Sequence, residues 1–141
     1  MKHLTFLFIF VLLFSCLSIV LAGDGKENWE KFSKSLVEMF KSDNEGLKQS
    51  AMLQIIIYAD SLDVQDAAYD IYNIYKWHKD EKMRQLALVA LYHIQYDWAM
   101  NQLVEDIKKE KSPILKKQLI FMVDEYNKKK QSEEQKEQKT E

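Results

Sequence analysis

Few side chains in this sequence could do chemistry, and their spacing narrows the field. Two histidines, His78 and His93, lie on separate stretches, and His3 stands in the apolar start of the chain. A helical metal site needs two ligands one turn apart with an acid beside them, as in His-Glu-x-x-His. No such spacing occurs, so these imidazoles are expected to be ordinary surface or hydrogen-bonded groups. Cys16 is the one cysteine, which leaves no thiol nucleophile, redox pair or zinc set after residue 22. No serine sits in a Gly-x-Ser-x-Gly turn, and three glycines are too few for a phosphate-cradling loop. No catalytic residue, metal ligand or cofactor site is therefore expected.

The residues left with a plausible task are aromatic and acidic. In YDIYNIYKW, residues 69–77, the side chains of Ile71, Ile74 and Tyr75 suit a core. Trp77 follows Asp70 by seven residues and so returns to nearly the same helical angle. Asp66, Asp70, Asn73 and Trp77 thus share one face. Tryptophan buries a large area at small entropic cost and is favoured where proteins touch. The four form a candidate protein-contact patch. The competing reading folds Trp77 over the next loop, and treats Asp66 and Asp70 as two acids on a solvated face. Tyr96 and Trp98 carry the same ambiguity.

These side chains must be positioned by helices. One proline and three glycines in 141 residues are too few for the turns of an all-β chain, while Lys, Glu, Gln, Leu, Ala and Met are plentiful. Start signals divide the chain into six helices. The first covers residues 28–41, with Trp29, Phe32, Leu36, Met39 and Phe40 on one side. SDNE, residues 42–45, resembles a capping box and opens the second. Asp63 is expected to cap the third, Asp80 the fourth, and Asp97 opens the fifth. Ser112 caps the sixth, with Pro113 at its first position. Residues 51–59 and 86–94 are apolar nearly all round, which predicts that the second and fourth helices are enclosed by the others.

The two ends differ in kind. Residues 1–22 have a short basic start, an apolar run over 4–21, and small residues before Gly23, the pattern of a secretory signal peptide. An uncleaved anchor is the second possibility, and LFSC around Cys16 resembles a lipoprotein box. Residues 23–127 form the expected domain. Residues 128–141 hold no apolar side chain and are expected to fray into a charged, disordered tail. After residue 22 there are 19 basic and 22 acidic residues, a net charge of −3, which offers no positive field for nucleic acid.

The domain repeats itself. Leu47, Met83 and Leu115 align at spacings of 36 and 32 residues, inside the range of helical-pair repeats. Lys48, Arg84 and Lys116 follow them, and Ala51 matches Ala87. The aligned apolar residue is read as the first inward position. The small alanine lets helices approach closely, and the base can reach an acidic loop group of the next unit. With Ala90, Leu91 and Ile94, the spacing from Asp80 to Ile94 resembles a HEAT-type repeat, in a short array over roughly residues 43–126. That resemblance implies an all-α fold of stacked antiparallel helix pairs, a short HEAT-like α-solenoid. An irregular helical bundle is the alternative arrangement.

The resemblance implies a non-catalytic scaffold or adaptor that binds another protein. Joined to the N-terminal pattern, it gives an exported protein of the cell envelope, periplasmic or secreted, and membrane-bound only if residues 4–21 are retained. The alternative function is a small helical bundle holding an apolar ligand or a membrane component.

Overall fold

The computed structural model describes residues 25–137. Among them are six α-helices and no strand: α1 (Gly25–Met39), α2 (Glu45–Tyr58), α3 (Ala68–Trp77), α4 (Glu81–Ile94), α5 (Asp97–Asp106) and α6 (Pro113–Glu137). The expectation of an all-α chain is met. The signal-peptide and lipoprotein readings lie outside the described residues, as does the end of the tail from residue 138.

Each helix starts for a local reason. The Asp80 carboxylate accepts from the Lys82 N–H at 2.9 Å, and the Ser112 hydroxyl accepts from the Leu115 N–H at 3.3 Å ahead of Pro113. These caps satisfy backbone donors that the first turn leaves free. The cap of α2 is Asn44, not Ser42: its side-chain oxygen accepts from the Gly46 and Leu47 N–H groups, while the Ser42 hydroxyl accepts from the Asn44 N–H. Asp63 does not cap α3. Its own N–H donates to the Ser33 hydroxyl at 3.1 Å, and the chain makes a 3-10 turn at Gln65–Ala67 before α3 begins. Gln95, left-handed at φ 52°, closes α4 and lets α5 begin two residues later.

Packing follows the apolar stripes. Consecutive helices pair as α1 with α2, α3 with α4, and α5 with α6, while α4 also lies against both α2 and α6. The core runs through these contacts: Leu36, Met52, Ile55, Ile71, Tyr75, Leu88, Leu91, Met100, Leu103, Leu115 and Leu119 are fully buried. Ala51, Ala87 and Leu91 are buried completely, Met83 nearly so.

Three expectations change. Leu47 is 39% exposed instead of inward, in the first turn of α2. The fourth helix is the hub, but the second is open on one side, where Leu53 and Ile57 face solvent. The last helix also continues beyond residue 127 to Glu137, where a frayed tail was expected. Long side chains hold that extension in place of apolar burial. Lys129 donates to the Gln95 side chain at 2.6 Å, Lys130 pairs with Asp97 at 3.3 Å, and the Tyr126 hydroxyl also bonds Asp97.

Candidate functional site

The position of α3 is set from behind. Tyr72, Tyr75 and Lys76 point toward the end of α5 and the segment that follows it. The Tyr72 hydroxyl donates to Asp106 Oδ2 at 2.8 Å, and Lys76 Nζ donates to Oδ1 of the same carboxylate at 2.7 Å. The Tyr75 hydroxyl donates to Glu110 Oε2 at 3.0 Å. Arg84 of α4 locks the two together. Its Nη2 donates to Glu110 Oε2 and its Nε donates to the Tyr75 carbonyl, both at 2.6 Å, and the Ser112 N–H fills Glu110 Oε1 at 2.9 Å.

Asp106 and Glu110 are almost entirely buried, so each charge is tolerable only because its oxygens are met by donors. Burial pushes the Glu110 carboxyl upward. The Ser112 N–H, the Tyr75 hydroxyl and Arg84 outweigh it and hold the group below the ordinary carboxylate range. Burial, followed by the Asp106 hydrogen bond and charge, drives Tyr72 upward; burial and the Glu110 charge do the same to Tyr75. Arg84 thus makes the reach to a neighbouring unit's acid that the repeat pattern suggested. Lys48 does not: it pairs with Glu45 of its own helix at 3.1 Å. Lys116 is half-buried on α6 with no ion pair among the described residues.

The front of α3 is different. Asp70, Asn73 and Trp77 line one hollow of about 310 Å³, whose floor is the buried side chains of Phe40 and Ile74. Glu45, Lys48 and His78 complete the rim. His78 Nδ1 accepts from the Asp80 N–H at 3.0 Å, which leaves Nε2 to donate to Glu45 at 3.0 Å. That contact ties the start of α2 to the end of α3. Lys48 first, and His78 after it, hold the Glu45 carboxyl below its usual range against its slight burial.

Trp77 is 77% exposed, so it does not fold over the next loop. Lys76 Nζ, bonded to Asp106, lies 5.9 Å from its ring centroid and about as near the Tyr72 and Tyr75 rings. Asp66 joins the hollow only through Asp70. Both acids line a second, larger groove of about 820 Å³ between α1 and the turn before α3. One wall, from α1 and the turn after it, carries Lys26, Lys34 and Lys41 together with Glu30 and Glu38, and the other carries Asp63, Asp66 and Asp70. Among the described residues, the side chains of Asp66, Asp70 and Asn73 have no hydrogen bond or ion pair.

The four residues singled out from the sequence therefore lie along one continuous strip, with Asp70 shared between the two depressions. Phe40 and Glu45 come from other parts of the chain and His78 from the residue just after α3, and none was placed on the patch; Lys48 was singled out for the repeat and not for this surface. Tyr96 and Trp98 belong to a separate aromatic group with Tyr69, whose ring lies 5.9 Å from Trp98. Among the described residues no cluster of His, Cys, Asp and Glu could hold a metal ion, and no helix is long and apolar enough to cross a membrane. Comparison with protein families, with curated proteins and with solved structures finds no match to this chain.

Proposed function

We propose that this chain is an exported, non-catalytic helical-repeat protein that holds another protein along the front of α3. The observation that carries the reading is Trp77: a large indole left exposed above a floor of Phe40 and Ile74, beside carboxylates with no hydrogen bond or ion pair among the described residues. Exposed aromatics bordered by polar groups mark the centres of protein contacts. Packing supports the repeat. Helices pair in sequence, α4 lies between α2 and α6, α3 touches α5, and Arg84 bridges one pair to the next. Stacked helix pairs of this kind form short HEAT-like solenoids, which work as adaptors. The grooves along α3 are open and mix apolar with charged side chains, unlike the closed apolar chamber an apolar-ligand carrier requires.

A photo-crosslinking amino acid at position 73 tests the reading in the cell that makes the protein. A single recurrent adduct, lost on Trp77→Ala and on Asp70→Lys, is expected. Adducts that are diverse, or that persist in both variants, contradict it.

A further inference from the structure

The opposite side of the molecule carries a second surface. Leu53, Val89 and Phe121 stand at equivalent places of the 36- and 32-residue spacings, on α2, α4 and α6. Because α2 and α6 both pack against α4, these equivalent positions form one strip across three helices. Ile57 lies one turn on from Leu53, Leu86 one turn back from Val89, and Ile114 two turns back from Phe121. Ile57 is 64% exposed and Phe121 62%, with Leu53 and Ile114 also open to solvent. Large apolar side chains exposed on α2 and α6, with the partly buried Leu86 and Val89 on α4 between those helices, mark a surface that something covers.

Three observations select the covering partner. First, the chain enters the domain at the strip's edge. Trp29, on the first turns of α1, lies 5.5 Å from Tyr58 at the end of α2, adjoining Ile57. In the sequence, only Ala22, Gly23 and Asp24 separate Gly25 from the apolar stretch of residues 4–21. Second, Trp29 and Tyr58 are themselves partly exposed there, and such amphipathic rings favour the boundary between water and lipid. Third, the strip is flanked by two lysines, Lys82 and Lys117, that have no ion pair among the described residues, whereas Glu125 neighbours Lys128 at 3.1 Å. The unpaired acids Asp66 and Asp70 lie on the other layer, along α3. Anionic lipid headgroups meet both the lysines and the apolar side chains.

We propose that the outer face of α2, α4 and α6 rests on an anionic lipid bilayer, beside the point where the apolar N-terminal stretch joins the domain. The contact is peripheral: Leu53, Ile57, Val89, Ile114 and Phe121 enter the headgroup boundary, and Lys82 and Lys117 meet phosphates. The Trp77 surface then faces away from the membrane, free to hold its partner.

The test uses the full chain with Cys16→Ser and one new cysteine bearing an environment-sensitive dye, mixed with vesicles of phosphatidylcholine and phosphatidylglycerol. A dye at Phe121→Cys is expected to shift its emission to the blue and to be quenched by nitroxide-bearing lipids. A dye at Glu105→Cys, exposed on α5, is expected to do neither. Both sites are on the surface, and Ile57→Cys provides a second reading from the strip. Leu53→Glu with Ile114→Glu should weaken the lipid-dependent signal at position 121 by about a hundredfold in lipid concentration. Lys82→Glu with Lys117→Glu should remove its dependence on phosphatidylglycerol. A dye at 121 and 57 that stays in water with vesicles present overturns the proposal. So does a blue shift that needs no vesicles and grows with protein concentration, which would assign the strip to a second copy.

Discussion

The 3-10 turn and helix from Gln65 to Trp77 present two sides that obey opposite rules. Toward α4 and α5, Tyr72, Tyr75 and Lys76 are all partnered, and the two carboxylates they meet are buried. Toward solvent, the side chains of Asp66, Asp70 and Asn73 have no hydrogen bond among the described residues, and Trp77 leaves 77% of its surface open. Both sides are rich in acids and aromatics, so composition does not separate them. What separates them is satisfaction. A polar group whose bonds are complete is contributing to the position of the helix; one left open, next to an exposed indole, is available to a partner.

Substitution can break this contrast, and the largest effect is expected at the buried carboxylate that Arg84, Tyr75 and the Ser112 N–H share. Glu110→Ala removes the acceptor of both Arg84 and Tyr75 and leaves a guanidinium largely buried. A loss of about 3–5 kcal/mol is expected, read from urea denaturation. Titration offers a gentler approach to the same group. The folded Glu110 pKa lies below its unfolded value, so its contribution is present above the unfolded carboxylate pKa, near 4.5. It is lost as pH falls through the depressed folded value. Stability measured down an acid series should therefore fall in that window, and Glu110→Gln should flatten the fall. Tyr75→Phe, which deletes one hydroxyl from the network, is expected to cost about 1–2 kcal/mol by the same denaturation assay. On the front, Trp77→Ala and Asp70→Lys should each change stability by less than about 0.5 kcal/mol. Their effect should appear in partner capture alone.

Much of this contrast was legible from residue order. The angle between Asp70 and Trp77 placed both on one face, and the period of Ile71, Ile74 and Tyr75 turned the other inward, as found. Asp80 and Ser112 declared their helices because a cap is a local event. The network behind α3 was not legible, since Tyr72 and Asp106 are 34 residues apart and only the packing of α3 on α5 joins them. The cap of α2 was read at Ser42 because the box pattern there outweighed Asn44, which stands closer to the helix. Leu53 and Ile57 were read as enclosed because an apolar segment shows how much of a helix avoids water and not which neighbour covers it. On α2 that neighbour is missing among the described residues, and the uncovered strip became visible only once the row of helices was assembled.

The most direct test of the account sets Trp77→Ala beside Tyr75→Phe in two assays, urea denaturation and capture of the partner crosslinked at position 73. The account predicts that Trp77→Ala keeps the wild-type midpoint and loses the partner, while Tyr75→Phe lowers the midpoint and still captures the partner when folded. A lowered midpoint for Trp77→Ala with the partner retained would contradict it, and would return Trp77 to the fold.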